Sequence, residues 1–266
     1  MKIGSVKLAY FSPTGTTKAV VHGIARGLNL SSIEVINITK PEARLHPLRT
    51  SEGELLVVAV PVYMGRVPAL LRDWLQSIEA TNTPAVCVVV YGNREYENAL
   101  LELKNMLQDS GCIPIAGAAF VGEHSFSNSE TPVALGRPNK DDLNCAEIFG
   151  QNIHEKLQSI SSSSHLSSVS VPGNYPYGGV TKLWDVDFIV VNNACTQCGV
   201  CADACPVGAI DSRNSDIIDQ EKCITCCACI KNCPQGARTI KPSLVKDASI
   251  RLNTLYKEPK QLECFL

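Results

Sequence analysis

Nine of the thirteen cysteines in this chain of 266 residues lie between Cys195 and Cys233, and their spacing is that of a metal site. Cys195, Cys198, Cys201 and Cys205 recur, 28 positions later, as Cys223, Cys226, Cys229 and Cys233. Each run closes in Cys-Pro-x-Gly-Ala, at Cys205 to Ala209 and at Cys233 to Ala237. The pattern C-x-x-C-x-x-C-x-x-x-C-P suits two [4Fe–4S] clusters: three close thiolates wrap one cubane and the fourth, ahead of its proline, ligates the other. Crossed in this way, Cys195, Cys198, Cys201 and Cys233 would hold one cluster, and Cys223, Cys226, Cys229 and Cys205 the second. Zinc, which favours two C-x-x-C pairs separated by a longer stretch, fits this arrangement badly. Cys227 is out of step with the run and is expected to pack beside the cluster, and Cys264 is expected to be a free thiol.

A second chemistry is written near the N-terminus. An apolar stretch ends in Tyr10-Phe11-Ser12-Pro13-Thr14-Gly15-Thr16-Thr17 before a helical pattern begins. Hydroxyls and a glycine at a helix start suit a phosphate dianion, with backbone N–H groups and the positive helix end carrying its charge. The same residues would also serve as a simple N-capped turn. Neither G-x-x-x-x-G-K-[ST] nor G-x-G-x-x-G is present, so other phosphate loops are set aside. Two further loops, Pro61 to Pro68 and Tyr91 to Tyr96, combine glycine with aromatics able to lie against a flat ring.

These loops need a scaffold, and the first 160 residues supply one. Val6 to Phe11, Ile33 to Ile38, Leu55 to Val60, Ala85 to Tyr91 and Ile113 to Val121 read as strands, several of them apolar on both faces. Between them, 17–28, 68–78, 95–108 and 140–160 read as helices, the last with Asn139 as N-cap and Asp141 and Asp142 in its first turn. The alternation predicts a doubly wound α/β domain with a five-stranded parallel sheet. In strand order 2-1-3-4-5 the loops after the first, third and fourth strands meet at the switch point, where ligands bind. The expected layout is a domain over 1–160, a Ser- and Pro/Gly-rich linker over 161–184, a cysteine domain over 185–242 and an extension over 243–266. The linker reads as an exposed spacer, with docking through Tyr175, Tyr177 and Trp184 the sharper alternative.

Residues 187–240 resemble a bacterial-type ferredoxin, a small α+β domain. Residues 2–160 resemble a flavodoxin, on the strength of Ser12-Pro13-Thr14-Gly15-Thr16-Thr17. That resemblance implies FMN, with Ser12, Thr14, Gly15, Thr16 and Thr17 at its phosphate. It implies Val62, Tyr63, Met64, Gly65, Gly92, Asn93, Arg94 and Tyr96 around the ring, with Tyr63 or Tyr96 stacking on it. The order of the two parts is similar to iron–sulfur flavoprotein fusions of bacteria and archaea. Such a chain would relay electrons between FMN and two [4Fe-4S] clusters and onward to partner redox proteins. The rival expectation is a flavin-dependent reductase of a small molecule. No acid–base constellation is evident, and the carrier is favoured over the enzyme. The lone His124 in the loop 122–127 is expected to tie that loop to the scaffold rather than to act chemically.

Composition limits the rest. A net charge of −2 without a basic tract gives no reason to expect nucleic-acid binding, and no apolar run is long enough to span a membrane. With no signal-peptide layout at the start, a cytoplasmic protein is expected. Two oxidised clusters and a phosphate would bring the loaded protein to roughly −8. Residues 185–240 themselves carry seven acids against four bases.

Overall fold

The computed structural model describes residues 3–162, 165–178 and 186–266. β1 (Ser5–Tyr10) leads into α1 (Thr16–Leu28), and β2 (Ile33–Asn37) follows. β3 (Arg49–Ser51) and β4 (Glu54–Pro61) precede a 3-10 turn at Ala69–Leu71 and a short α2 (Arg72–Gln76). β5 (Glu79–Thr81), β6 (Thr83–Tyr91), α3 (Ala99–Asp109), β7 (Cys112–Val121) and α4 (Lys140–Ser159) complete the first unit. The remainder contains β8 (Ile189–Val191), α5 (Val200–Asp203), α6 (Ala228–Lys231), β9 (Arg238–Ile240), α7 (Leu244–Leu255) and β10 (Glu263–Phe265).

The main sheet runs β10-β7-β6-β4-β1-β2. Its five strands from the first unit are all parallel, in the flavodoxin-like order expected for a doubly wound domain. β4 and β6 are buried along almost their whole length, because helices cover both faces of the sheet. One apolar layer lies under α2 and α3, the other under α1 and α4. α1 and α4 meet at glycines: a Cβ on Gly27 would come within 1.8 Å of the Glu147 carbonyl oxygen, and one on Gly150 within 2.2 Å of that of Ile24. The expected cap of α4 is present, Asn139 Oδ1 accepting from the Asp142 N–H while Asp142 accepts from the Asn139 N–H.

Several expectations are corrected. The helix expected over 68–78 is a 3-10 turn plus five residues of α-helix. The helix expected from residue 95 starts only at Ala99, since Asn93 and Glu97 adopt left-handed backbone (φ 60° and 45°). A sixth strand, β10, comes from the far end of the chain and pairs antiparallel with β7, so that Glu263, Cys264 and Phe265 lie opposite Ala119, Ala118 and Gly117. It covers an edge that would otherwise present unpaired backbone groups.

The segment expected as an exposed spacer instead runs along the first unit. Val169 is buried and its N–H donates to the Pro114 carbonyl at 2.7 Å, while Val171 joins the core. The Asn174 N–H donates to Asn98 Oδ1, and Tyr177 accepts from Asn105 and lies under the Arg66 guanidinium. Tyr175 remains exposed, and Trp184 lies outside the described residues.

The cysteine region is a small α+β unit, β8 pairing antiparallel with β9 around the short α5 and α6. Its core is shared: Phe126 and Val133, from the loop after β7, pack with Phe188, Cys227 and the α7 residues Val245, Ala248 and Leu252. Polar contacts seal the seam. The Ser249 hydroxyl donates to the Phe126 carbonyl, Asn253 donates to the Pro132 carbonyl, and Lys246 pairs with Glu130. The buried Asn93 side chain donates to the Tyr256 and Glu258 carbonyls and accepts from the Lys260 N–H. The cysteine unit is thus packed onto the sheet rather than tethered to it.

Candidate functional site

A cavity of about 370 Å³ opens at the carboxyl ends of β1, β4, β6 and β7. The strand order places it there, since connections leave β1 towards one side of the sheet and β4 towards the other. Thr14, Thr16 and Thr17 form one end, with Gly15 (φ 91°) making the turn into α1. Ser12 does not line the space but shapes its floor: its N–H donates to Thr39 Oγ1, and its hydroxyl accepts from the Lys18 N–H. Gly15 at the N-cap offers no side-chain bond and no acid sits in the first turn of α1, so apart from the Ser12 bond to the Lys18 N–H the positive helix end is uncompensated among the described residues. The Thr17 hydroxyl is buried with no partner among the described residues. Uncapped N–H groups and an orphaned hydroxyl fit a phosphate dianion.

The second wall is Val62, Tyr63 and Met64. Tyr63 and Arg66 exchange backbone hydrogen bonds of 3.0 and 3.1 Å around a two-residue turn. Met64 (φ 52°) and Gly65 (φ 75°) both take the left-handed conformation that such a turn requires. The turn is anchored from below, where Arg66 and Glu102 form a buried two-pronged ion pair at 2.8 and 2.7 Å. Gly65 itself faces Glu97 and is not in the lining.

Gly92 and Arg94 supply the third wall, but Asn93 and Tyr96 do not line the cavity. Asn93 holds the C-terminal segment, and Tyr96 is buried in the core with its ring 5.4 Å from that of Tyr91. Of the two aromatics considered for stacking, only Tyr63 borders the space.

Apart from Tyr91, which begins the third expected loop, the other lining elements were outside those loops. Tyr91 and the stretch 122–126 form the wall next to β7. Thr225, together with Ala248, Arg251 and Leu252 of α7, roofs the cavity from the cysteine half. His124 is bonded within its own loop, its N–H donating to the Val133 carbonyl and its Nδ1 accepting from the Phe126 N–H at 3.0 Å. Its ring also borders the cavity and presses on Gly92, where a Cβ would come within 2.4 Å of His124 Cδ2. Burial, with Lys231 and Arg94 nearby, lowers its pKa to about 4. The imidazole is therefore neutral, and the bond at Nδ1 leaves the proton on Nε2.

All eight cysteines of the two runs are free thiols. Cys205, Cys223, Cys226 and Cys229 face one small apolar void with Phe188, Ile189 and Ile210. Burial drives the Cys226 thiol pKa far up and that of Cys229 up to about 12, and the nearby Cys223 and Cys205 add to both. Buried in this apolar setting, Cys223, Cys226 and Cys229 resist ionising unless positive charge is supplied, which is what iron would bring. Cys205, from the first run, thus sits with the three leading cysteines of the second. Among the described residues, no three Cys, His, Asp or Glu side chains converge on a single metal ion. The Ala209 N–H donates to Cys205 Sγ at 3.2 Å and the Ala237 N–H to Cys233 Sγ at 3.3 Å, equivalent bonds in the two runs. Cys227 takes the place of Gly199 in the repeat: both precede a short helix with left-handed backbone, and the Cys227 side chain is buried in the shared core.

Residues 188–211 and 216–239 match the family of 4Fe-4S binding domains. No curated protein sequence matches the chain. Among solved structures, a flavodoxin from the domain Archaea is 17% identical over 58% of this chain and 99% of its own, with a TM-score of 0.40. A flavodoxin of Streptococcus pneumoniae TIGR4 is 17% identical over 57% of this chain and 98% of its own, also at 0.40. The NADH:FMN oxidoreductase EMOB, in its apo form, is 18% identical over 62% of this chain and 94% of its own, again at 0.40. The strand order itself, rather than these scores, carries the fold. No described helix is long and apolar enough to cross a membrane. The chain joins a flavodoxin-like α/β domain to a 4Fe-4S binding domain.

Proposed function

We propose that this chain is an electron-transfer iron–sulfur flavoprotein that binds FMN in the cavity and two [4Fe-4S] clusters on the crossed cysteine sets. The observation that supports it most is the roof of the cavity. Thr225, next in sequence to Cys226, closes the space whose other end is the positive start of α1, which has no acid in its first turn. On this reading the hydroxyl loop at α1, the Tyr63 turn and the second cysteine run would border one space.

Thr14, Thr16 and Thr17 would hold the phosphate, and Tyr63 with Gly92 would border the ring. Flavin exchanges electrons in pairs or singly, while a cluster passes one at a time, so their juxtaposition converts between the two. The protein's own part is positioning. The Arg66–Glu102 pair fixes the Tyr63 turn, Gly92 lets His124 close the wall, and α7 shields the space from solvent. Neutral His124 offers an Nε2–H donor without adding charge.

The test is anaerobic analysis of iron, sulfide and flavin in the purified protein. About eight iron and about one FMN per chain are expected. Stoichiometric zinc, or protein without flavin, would sink this reading.

A further inference from the structure

The two cysteine runs share a backbone but not an environment. Gln197, Gly199 and Gly208 have φ of 55°, 77° and 61°, and their counterparts Thr225, Cys227 and Gly236 all have 57°. Around the second run, Thr225, Cys226, Cys227, Ala228 and Cys229 are all buried. Thr225 lines the cavity, and Ile224 packs on the core of the sheet. Around the first run, Asn192, Asn193, Ala194, Thr196, Gln197 and Cys198 are all exposed. Helix α6 adds anchors to the second run: Asn232 donates to the Pro13 carbonyl in the phosphate loop, and Lys231 to the Ser127 carbonyl, whereas the first run is tied to the α/β half beside Cys205, where Arg44 donates to the Pro206 carbonyl.

Charge differs too. The Ser215 N–H donates to Gln197 Oε1 at 2.8 Å, which holds the loop of Asp211 and Asp216 against the first run. Those two acids and Asp203 of α5 are exposed, as are the apolar side chains of Val200 and Ile217. Exposed apolar groups among three exposed acids, with Arg213 the one base of the 211–216 loop, form a small docking face for a positively charged partner.

Building on the two-cluster flavoprotein reading, we infer that the clusters act in a fixed order. The cluster on Cys223, Cys226, Cys229 and Cys205 exchanges electrons with the flavin. The cluster on Cys195, Cys198, Cys201 and Cys233 is the port for a one-electron redox protein with a basic face. In the outward direction the reduced flavin loses two electrons, one at a time, and releases its protons to solvent. Each electron crosses the inner cluster, then the outer, and reduces one molecule of the partner. In the inward direction two molecules of a reduced partner are oxidised for each flavin reduced.

The experiment uses full-length holoprotein, with iron and flavin content measured first, so that a missing cofactor indicts the cofactor reading and not the order. A dysprosium chelate in solution, which cannot enter the protein, is added to the dithionite-reduced sample and the electron paramagnetic resonance of the clusters recorded. Relaxation of one cluster signal only is expected, the one that disappears in Cys198→Ala. Equal relaxation of both signals, or relaxation of the signal lost in Cys226→Ala, overturns the order. In parallel, the reduced protein is mixed at low salt with cytochrome c, a basic one-electron acceptor. Asp203→Lys combined with Asp216→Lys alters only exposed side chains, and should slow cytochrome reduction about tenfold with iron content unchanged. An unchanged rate would overturn the assignment of this face, even if Cys198→Ala failed to fold.

Discussion

The two halves of this molecule reach a stable structure by different means. The α/β half buries whole strands between two helical layers, and β6 has no exposed residue. The cysteine half has three-residue strands and four-residue helices, and borrows Phe126, Val133 and α7 to complete its core. So small a unit cannot bury enough apolar surface to offset its chain entropy, and relies on bound metal and on its neighbour. One half is held by side-chain packing, the other by ligands and by the seam.

Removing the iron should break the comparison most visibly. After anaerobic oxidation and chelation, hydrogen exchange should show amide protection lost across 189–240 and retained in β4 and β6. Protection that persists in both halves would mean that the cysteine unit folds without metal.

Next in size is the ion pair under the Tyr63 turn. Glu102→Gln leaves the Arg66 guanidinium buried without a counter-charge, and should cost the α/β half about 3–5 kcal/mol in urea unfolding. A cost below about 1 kcal/mol would show that the turn is held by its backbone alone.

His124 at the seam links stability to pH. Its folded pKa, about 4, lies below the ordinary 6.5, so the folded protein prefers the neutral ring. Its contribution is complete above pH 6.5 and is lost as pH falls towards 4, at up to about 1.4 kcal/mol per pH unit. His124→Gln should flatten that slope, and an unchanged slope would assign it to other groups.

The smallest effect is expected at Cys227, where a cysteine occupies the left-handed position that glycine holds in the first run. Cys227→Gly relieves backbone strain and removes a buried thiol. These oppose each other, so the net change should be within about 1 kcal/mol. Iron content should be unaffected, and a loss of iron would make Cys227 a ligand.

Local spacing carried much of the design. The cysteine repeat, the hydroxyl loop at α1, the strand and helix alternation and the α4 cap can each be read from residues close together in sequence. Their geometry is set by backbone rules that act over a few positions. The loops after the first, third and fourth strands could be chosen because strand order dictates which connections meet. Within them, Tyr63 and Tyr96 look alike in sequence. The folded chain tells them apart: between Asn93, held by the distant Tyr256, Glu258 and Lys260, and the left-handed Glu97, Tyr96 is buried in the core, while Tyr63 borders the cavity.

Long-range packing decided the rest. No pattern in residues 244–266 announces that α7 will roof a cavity built from residues 13–126, or that β10 will close the β7 edge. The contact of Gly92 with His124 joins positions that are polar and unremarkable in their own segments. The serine- and proline-rich stretch reads as a spacer because its composition is that of a loop, yet Val169, Val171 and Tyr177 bind it down. The sequence by itself determined which chemical groups are present and how each run of them is bent. Which cysteine run faces the cavity and which faces solvent was decided only in the tertiary structure, because identical spacing folds into an identical backbone and the surroundings alone tell the two apart.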